Sequence, residues 1–345
     1  MYLDWNATTP MSAGVIRKLQ WAQENCWANA HSQHQLGRKT AVEVEKAREI
    51  LAGVLQARPK QVRFTSGATE ANAWVCAHFK KIGKIATSAV EHPSVWAWHD
   101  RAIPVDKHGV VDLGALKRIL EKKDIALVSI MAANNETGVL QPIEEIANIC
   151  TFYQVPFHCD ASQILGRLQL NIPADFITIS GHKFGGPKGV GALIINQELE
   201  PLLQGGAQER GSRAGTVNAP SIIAMGEAAS ECGAMSSIQQ DILEAELEKH
   251  NAIIIGKNVL RLPNTTCALF PTPGDMIVMG LDMAGIFAST GSACSSGSSK
   301  DSRVLDVMGY RGIPVRFSWG ADTRLETILP TITATVQNME MTCEW

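Results

Sequence analysis

The chain has 345 residues, of which 45% are hydrophobic and 19% charged, and its formal net charge at pH 7 is -3. This weak charge gives no electrostatic reason to expect nucleic acid or an anionic membrane as a partner. No apolar run approaches the roughly 18 residues that a membrane-spanning helix needs, and the first ten residues lack the basic and apolar regions of a signal peptide. The length predicts two domains, or one large domain with an appendage.

Eight cysteines are scattered along the chain without a CxxC pair. In a chain of this length, that pattern predicts reduced thiols and a cytoplasmic location, and it argues against a disulfide framework or a zinc site. His31 and His34 have an i, i+3 spacing that a metal site could use, but no carboxylate or thiol pattern accompanies them. We therefore predict no resident metal ion.

The middle of the chain alternates between strand and helix patterns. Short β-branched or continuously apolar runs predict strands at 62–65, 125–131, 155–159, 176–179 and 191–195. Helices are predicted from the turn at 66–70 through residue 81, and at 143–153. Because continuous apolar strands are separated by helices, we expect a mainly parallel sheet covered on both faces.

After about Gln240 the pattern changes to an amphipathic helix at 241–248 and then to short strands separated by prolines. We predict a large domain at 12–240, and a smaller α+β domain formed by 1–11 and 241–345.

Polar residues follow three of the strands, at the ends where an open α/β sheet binds ligands. Ser-Gly-Ala-Thr at 66–69 opens a helix that could hold a phosphate. Asp160 could pair with a pyridinium nitrogen, and Lys183, in a turn rich in glycine, is placed for a Schiff base with pyridoxal phosphate (PLP). Alone, the first two features are more often a helix cap and a turn former. Their order along the chain favours a PLP site.

The chain resembles PLP-dependent cysteine desulfurases of the NifS type, within the class V aminotransferase family. The matching segments are 2–10, 66–70, 91–93, 134–138, 158–163, 180–189, 204–216, 291–297 and 316–320. The resemblance implies the aspartate aminotransferase-like fold of PLP-dependent transferases (fold type I), with a mainly parallel, seven-stranded sheet in the large domain. It also implies L-cysteine as the substrate.

The resemblance also implies a role for each matching residue. Lys183 would bind PLP covalently and move protons, Asp160 would neutralise the pyridinium, and His92 would stack on the ring. Arg316 would bind the substrate carboxylate, for which a planar guanidinium is suited. Gln163 and Asn135 would contact the phenolic oxygen, and Asn135 would also contact the substrate. The phosphate would be held by Ala68, Thr69, Ser180 and His182. Thr216 would reach the phosphate in a partner subunit, which implies a homodimer.

Cys294 decides the reaction that this resemblance predicts. Its surroundings, Gly-Ser-Ala-Cys-Ser-Ser-Gly at 291–297, are small and polar, which is typical of an exposed loop. Cys76, Cys150 and Cys267 are instead expected to be buried thiols. A thiolate on such a loop can take sulfur from PLP-bound cysteine as a persulfide, release alanine, and pass the sulfur to an acceptor protein.

The acceptor stays open between an iron–sulfur scaffold, for which Cys294 could be a transient cluster ligand, and a thiolation protein. Two other functions also stay open. One is another class V enzyme, such as a selenocysteine lyase or an aminotransferase; the Cys294 loop argues against the aminotransferase. The other is a PLP-fold protein that binds or assembles without turnover, against which the joint presence of Lys183, Asp160, His92, Cys294 and Arg316 argues.

Overall fold

A seven-stranded sheet forms the centre of the computed structural model, which describes residues 1–169, 171–291 and 302–343. Its strands are β1 (Val62–Thr65), β2 (Lys84–Ser88), β3 (Arg101–Ile103), β4 (Ile125–Ser129), β5 (Phe157–Asp160), β6 (Phe176–Ser180) and β7 (Gly191–Ile195). They lie in the order β1-β7-β6-β5-β4-β2-β3, and only the two pairs that involve β7 are antiparallel. The predicted α/β fold with a mainly parallel seven-stranded sheet is confirmed.

Helices connect and cover these strands. Within the described ranges they are α1 (Ala13–Asn25), α2 (Gln35–Val54), α3 (Ala68–Lys80), α4 (Pro93–Trp96), α5 (Leu113–Leu120), α6 (Ile143–Tyr153), α7 (Ala219–Ser230), α8 (Ile238–Leu247), α9 (Gly274–Met283), α10 (Arg303–Val307) and α11 (Leu329–Cys343). None of the helices in this part of the chain combines the length and the apolar character needed to cross a bilayer.

The sheet is buried on both faces, which explains why its strands read as continuous apolar runs. Consecutive residues of β7 belong to different hydrophobic clusters. Leu193 packs in a cluster with Trp74 of α3. Ile194 packs in another cluster, with Val44 of α2 and Ile222 of α7. Since side chains alternate across a strand, α3 covers one face while α2 and α7 cover the other.

The register of β7 brings two predicted ligand-binding turns together. Gly191 lies opposite Thr65 of β1 and opposite Ser180 of β6, so the turns that follow these two strands are neighbours. A Cβ atom on Gly191 would lie 2.7 Å from Cα of Gly67. Glycine at 191 therefore permits the close approach of β7 to the turn that opens α3.

A second, antiparallel sheet is formed by β8 (Ile253–Ile254), β9 (Thr265–Leu269) and β10 (Val315–Ser318), in the order β10-β9-β8. Its core contains Phe317 of β10, Leu243 of α8 and Ile277 of α9, together with Leu3 from the start of the chain. The backbone of Leu3 bonds to Phe287 and Ser318. The N-terminal segment therefore packs with the second sheet, whereas the domain boundaries at 12 and 240 stay a prediction.

Candidate active site

Lys183 lies in the single turn Gly181–Lys183 that follows β6, at the carboxyl edge of the large sheet. Its Nζ donates hydrogen bonds to the carbonyl oxygens of Asn6 (2.8 Å) and Ala7 (2.9 Å). The lysine is half-buried, whereas Lys188 is exposed. Because the two carbonyls direct the amine, Lys183 is the lysine of this segment that is held inside the site.

Arg167, whose role was not predicted from the sequence, holds the backbone of Lys183. It is 2% exposed, and its guanidinium donates to the carbonyl oxygens of Lys183 (2.9 Å) and Trp5 (3.3 Å). Burial, together with the nearby charge of Arg316, lowers the pKa of Arg167 to about 10. Arg167 thus joins the lysine turn to the N-terminal segment.

Asp160 ends β5 and is 6% exposed. Its Oδ2 accepts a hydrogen bond from Nδ2 of Asn72 (2.7 Å), and its Oδ1 accepts one from the backbone N–H of Ser162 (3.0 Å). Both partners of Asp160 are hydrogen-bond donors, which suits an ionised carboxylate because it can only accept hydrogen bonds. Asn72 belongs to α3 and was not predicted to be part of the site.

Asn6 connects the lysine to the other side of the site. Its carbonyl oxygen accepts from Nζ of Lys183 and from Nε2 of Gln163 (3.1 Å), while its Nδ2 donates to the carbonyl of Asn135 (3.2 Å) and to Oγ1 of Thr265 (3.0 Å). Oε1 of Gln163 is buried and has no hydrogen-bond partner among the described residues. A buried orphan acceptor of this kind implies a ligand or a water molecule that completes it.

Arg316 of β10 faces the same region and is 2% exposed. Its Nη2 donates to Asp4, and its Nη1 donates to the carbonyls of Asn135 (2.9 Å) and Gly291 (3.3 Å). Its Nε is buried without an acceptor in the part of the chain that the structure describes. The guanidinium therefore has a donor available for an incoming carboxylate.

The start of α3 is suited to an anion. Its N-cap is Gly67, whose φ of +152° favours glycine, and no described side chain caps the helix. Ala68 and Thr69 form the start of its first turn, and Ser180 lies close by through the β7 register. Open amides at a helix N-terminus are a common binding site for a phosphate.

His182 lies beside this turn, and its Nδ1 is 3.2 Å from Oγ1 of Thr8. Burial, together with the charges of Lys183, Lys188 and Arg167, lowers the pKa of His182 to about 4. The imidazole is therefore neutral near pH 7, and it can donate or accept a hydrogen bond without adding charge.

His92 forms the N-cap of α4, where its Nδ1 contacts the backbone N–H of Ser94 (3.2 Å) and Oγ of Ser94 (2.8 Å). Burial lowers the pKa of His92; Asp160 opposes this effect, whereas Lys183 and Arg303 add to it. The imidazole of His92 is thus held neutral near Asp160 and Lys183, the two groups that the sequence predicts for the site.

One predicted residue, Thr216, lies apart from this cluster. Thr216 is exposed, in a segment that Arg213 anchors to Glu70 through contacts of 2.8 and 3.0 Å. Cys294 lies outside the described residues. Gly291 is the last described residue before the segment that contains Cys294. Its carbonyl oxygen accepts a hydrogen bond from Arg316, so Gly291 lies next to the candidate carboxylate site.

One of the two histidines with a metal-like spacing has another role. His34 is the N-cap of α2, where its Nδ1 accepts a hydrogen bond from the backbone N–H of Gly37 (3.2 Å). The described ranges contain no group of three or more potential metal ligands.

This combination of a lysine turn, a strand-end aspartate and an uncapped helix on one sheet edge defines a cofactor-dependent α/β enzyme of a recognisable class. Residues 1–328 match the family model for class V aminotransferases, and the chain belongs to this family. The cysteine desulfurase IscS of Dictyoglomus turgidum is 37% identical, over 93% of this chain and 88% of its own.

Solved structures give the same result. A NifS-like protein superposes with a TM-score of 0.89 at 30% identity, over 99% of both chains. SspA in complex with cysteine superposes with a TM-score of 0.83 at 30% identity, over 93% of this chain and 99% of that one.

Proposed function

We propose that the protein is a cysteine desulfurase, which converts L-cysteine to L-alanine and takes the sulfur as a persulfide on Cys294. The observation that carries this proposal is the connection from Lys183 to Arg316 through Asn6 and Asn135. The amine of Lys183 and the carboxylate-binding guanidinium of Arg316 are held by the same network of hydrogen bonds, which suits an α-amino acid substrate. The relationship to the desulfurase of Dictyoglomus turgidum supports the choice of cysteine.

The proposed cofactor is PLP. The orphan Oε1 of Gln163, which can accept a hydrogen bond, fits the hydroxyl form of its phenolic oxygen, and the uncapped start of α3 fits its phosphate. The residues that would hold it are Lys183 by a covalent bond, Asp160 at the pyridinium, His92 at the ring face, Gln163 and Asn135 at the phenolic oxygen, Ala68, Thr69, Ser180 and His182 at the phosphate, and Thr216 of a second copy. When bound, PLP supplies an electron sink for the bonds at the substrate Cα.

The residues of the chain perform the other steps. Arg316 binds the substrate carboxylate, Lys183 moves the proton at Cα, and His92 can supply or remove a proton. The Cys294 thiolate attacks the substrate sulfur: an S–S bond forms, the substrate C–S bond breaks, and its electron pair goes to the carbon that becomes the alanine methyl group. The two thiol hydrogens end on that methyl group and on the persulfide, so no oxidant is consumed.

Three further features belong to this proposal. The exposure of Thr216 supports a homodimer in which it reaches the partner's site. The free thiols of Cys26, Cys76, Cys150, Cys159, Cys232 and Cys267 support a reducing compartment such as the cytoplasm. A sulfur-acceptor protein, for iron–sulfur cluster assembly or for thiolation, would receive the persulfide.

The test is to purify the protein with PLP and to measure alanine and sulfide released from cysteine in the presence of a reductant. Lys183→Ala should lose the covalently bound cofactor and its visible absorbance, and Lys188→Ala, the matched control, should keep both. Retention of covalent cofactor in Lys183→Ala would transfer the role to Lys188. Release of alanine from selenocysteine but not from cysteine would favour the selenocysteine lyase alternative.

A further inference from the structure

A hydrogen-bond chain links Asp160 to His92 through two residues that the proposed mechanism does not use. Oδ2 of Asp160 lies 2.7 Å from Nδ2 of Asn72, the same Nδ2 lies 2.9 Å from Oγ of Ser94, and this Oγ lies 2.8 Å from Nδ1 of His92. Asn72 is 0% exposed, so water does not compete for its amide. The Asn72 end of this chain is therefore shielded from water, whereas Ser94 and His92 at the start of α4 are half-buried.

The hydrogens in this chain can be assigned from its two ends. A carboxylate only accepts, so the amide nitrogen of Asn72 must face Asp160. This nitrogen carries two hydrogens, and the second points to Oγ of Ser94, which accepts it. The single hydrogen of the Ser94 hydroxyl is then directed to Nδ1 of His92.

The backbone of Ser94 reinforces this assignment, because its N–H also points to Nδ1 of His92, at 3.2 Å. Two donors that converge on one ring nitrogen leave it without a hydrogen of its own. A neutral imidazole must then carry its hydrogen on Nε2. The charged groups that act on the ring are Asp160, Lys183 and Arg303.

We propose that Asn72 and Ser94 are positioning residues that hold His92 as the neutral tautomer with its hydrogen on Nε2. His92 then presents a hydrogen-bond donor at Nε2 to the reacting groups. This role in turnover rests on the proposed desulfurase function. The tautomer itself does not depend on that function.

A helix cap alone does not explain the arrangement. The contact between the Ser94 N–H and Nδ1 would suffice to start α4, which has only four residues. It gives no reason for a buried amide to connect Ser94 to Asp160. The connection ties the tautomer of His92 to the ionised state of Asp160, because a neutral carboxyl group no longer requires a donor from Asn72.

The experiment is ¹⁵N NMR of the cofactor-loaded protein with labelled histidine, and His92→Gln identifies the His92 signals by their loss. We expect Nδ1 of His92 to be unprotonated and Nε2 protonated. Ser94→Ala and Asn72→Leu should give a mixture of the two tautomers, and Ser94→Thr, which keeps the hydroxyl, should restore the parental spectrum.

Steady-state kinetics provide a second readout. In Ser94→Ala we expect kcat to fall by roughly tenfold, less than the roughly hundredfold or more for the loss of a whole acid–base group, because His92 remains but is less well oriented, with little change in KM. A protonated Nδ1 in the parental protein, or an unchanged tautomer in Ser94→Ala, would overturn the proposal, even if Asn72→Leu does not fold. A correct tautomer in a protein that does not consume cysteine would refute the desulfurase function instead.

Discussion

Asp4 and Arg316 form an ion pair inside the candidate site, with 2.5 Å between Oδ1 of Asp4 and Nη2 of Arg316. The arginine is also fixed by the carbonyls of Asn135 and Gly291, so Asp4 is not its only anchor. A substrate carboxylate must therefore share the guanidinium with a carboxylate of the protein. This competition lowers the affinity that an unpaired guanidinium would have.

Asp4→Asn should accordingly lower KM for cysteine, by about three- to tenfold, because one like charge leaves the carboxylate site while the two carbonyl anchors remain. Initial-rate measurements at low ionic strength would show this change. Asp306→Asn, which removes the exposed pair with Arg311, is the control and should leave KM unchanged. A higher KM in Asp4→Asn would mean that Asp4 orients Arg316 and does not compete with the substrate.

Cys294→Ser should abolish alanine release while cysteine still changes the absorbance of the bound cofactor. A serine hydroxyl is not appreciably ionised near neutral pH and cannot take up the sulfur, whereas binding of the cofactor by Lys183 and of the substrate carboxylate by Arg316 requires no thiol. Cys232→Ser is the matched control, because burial raises the pKa of the Cys232 thiol to about 11 and keeps it unreactive. Turnover at the parental rate in Cys294→Ser would refute a persulfide mechanism.

We expect a homodimer whose affinity for PLP falls when the subunits separate. The segment that carries Thr216 is held by the pair between Arg213 and Glu70, which places it at the surface next to the start of α3. Sedimentation over a range of dilutions, with cofactor occupancy followed by absorbance, measures both properties. A monomer with full occupancy at every concentration would contradict the prediction.

Glu91 should make stability depend on pH. Burial, with the charge of Asp160, raises the pKa of Glu91 from 4.5 to about 8, against the hydrogen bonds from Ser88 and Met131. Between these values the folded protein holds a proton that the unfolded chain releases, so the free energy of unfolding should fall as the pH rises through this window.

Denaturant unfolding at several pH values from about 5 to about 8 measures this effect of Glu91. Glu91→Gln, which resembles the protonated side chain, should flatten the dependence. Glu200→Gln is the control, because Lys81 lowers the pKa of Glu200 and moves its titration below this window. An equally steep dependence in Glu91→Gln would assign the effect to another group.

The elements that the sequence predicts best are those that are buried and flanked by turns. The helix at 143–153 and the strand at 191–195 have the predicted bounds, and the strand predicted at 155–159 is shifted to Phe157–Asp160. The strands β2 and β3 were not predicted. In β2 the only large aliphatic side chain is Ile85, and β3 is a three-residue edge strand with two exposed residues, so neither has the apolar run that predicts a strand.

Some residues of the candidate site can likewise be predicted from the sequence, and others cannot. Lys183, Asp160 and the start of α3 follow strands directly, so their position at the carboxyl edge can be inferred from local sequence. Asn6 and Arg167 act through contacts with residues far away in the chain, Lys183 and Trp5 respectively, and their local sequence carries no sign of this. Only the folded chain brings them together.

The N-terminal segment has a consequence for synthesis. Thr9 bonds to a residue 174 positions away, and Asn6 bonds to Ser318, 312 positions away. The Thr9 contact can form once the turn after β6 has been made, whereas the Asn6 contact with Ser318 forms only after β10 has left the ribosome, long after the seven strands of the large sheet are available. A nascent chain with a complete large sheet would therefore already hold its lysine but would lack Arg316, which lies on β10, and the candidate carboxylate site is completed late in the maturation of the protein.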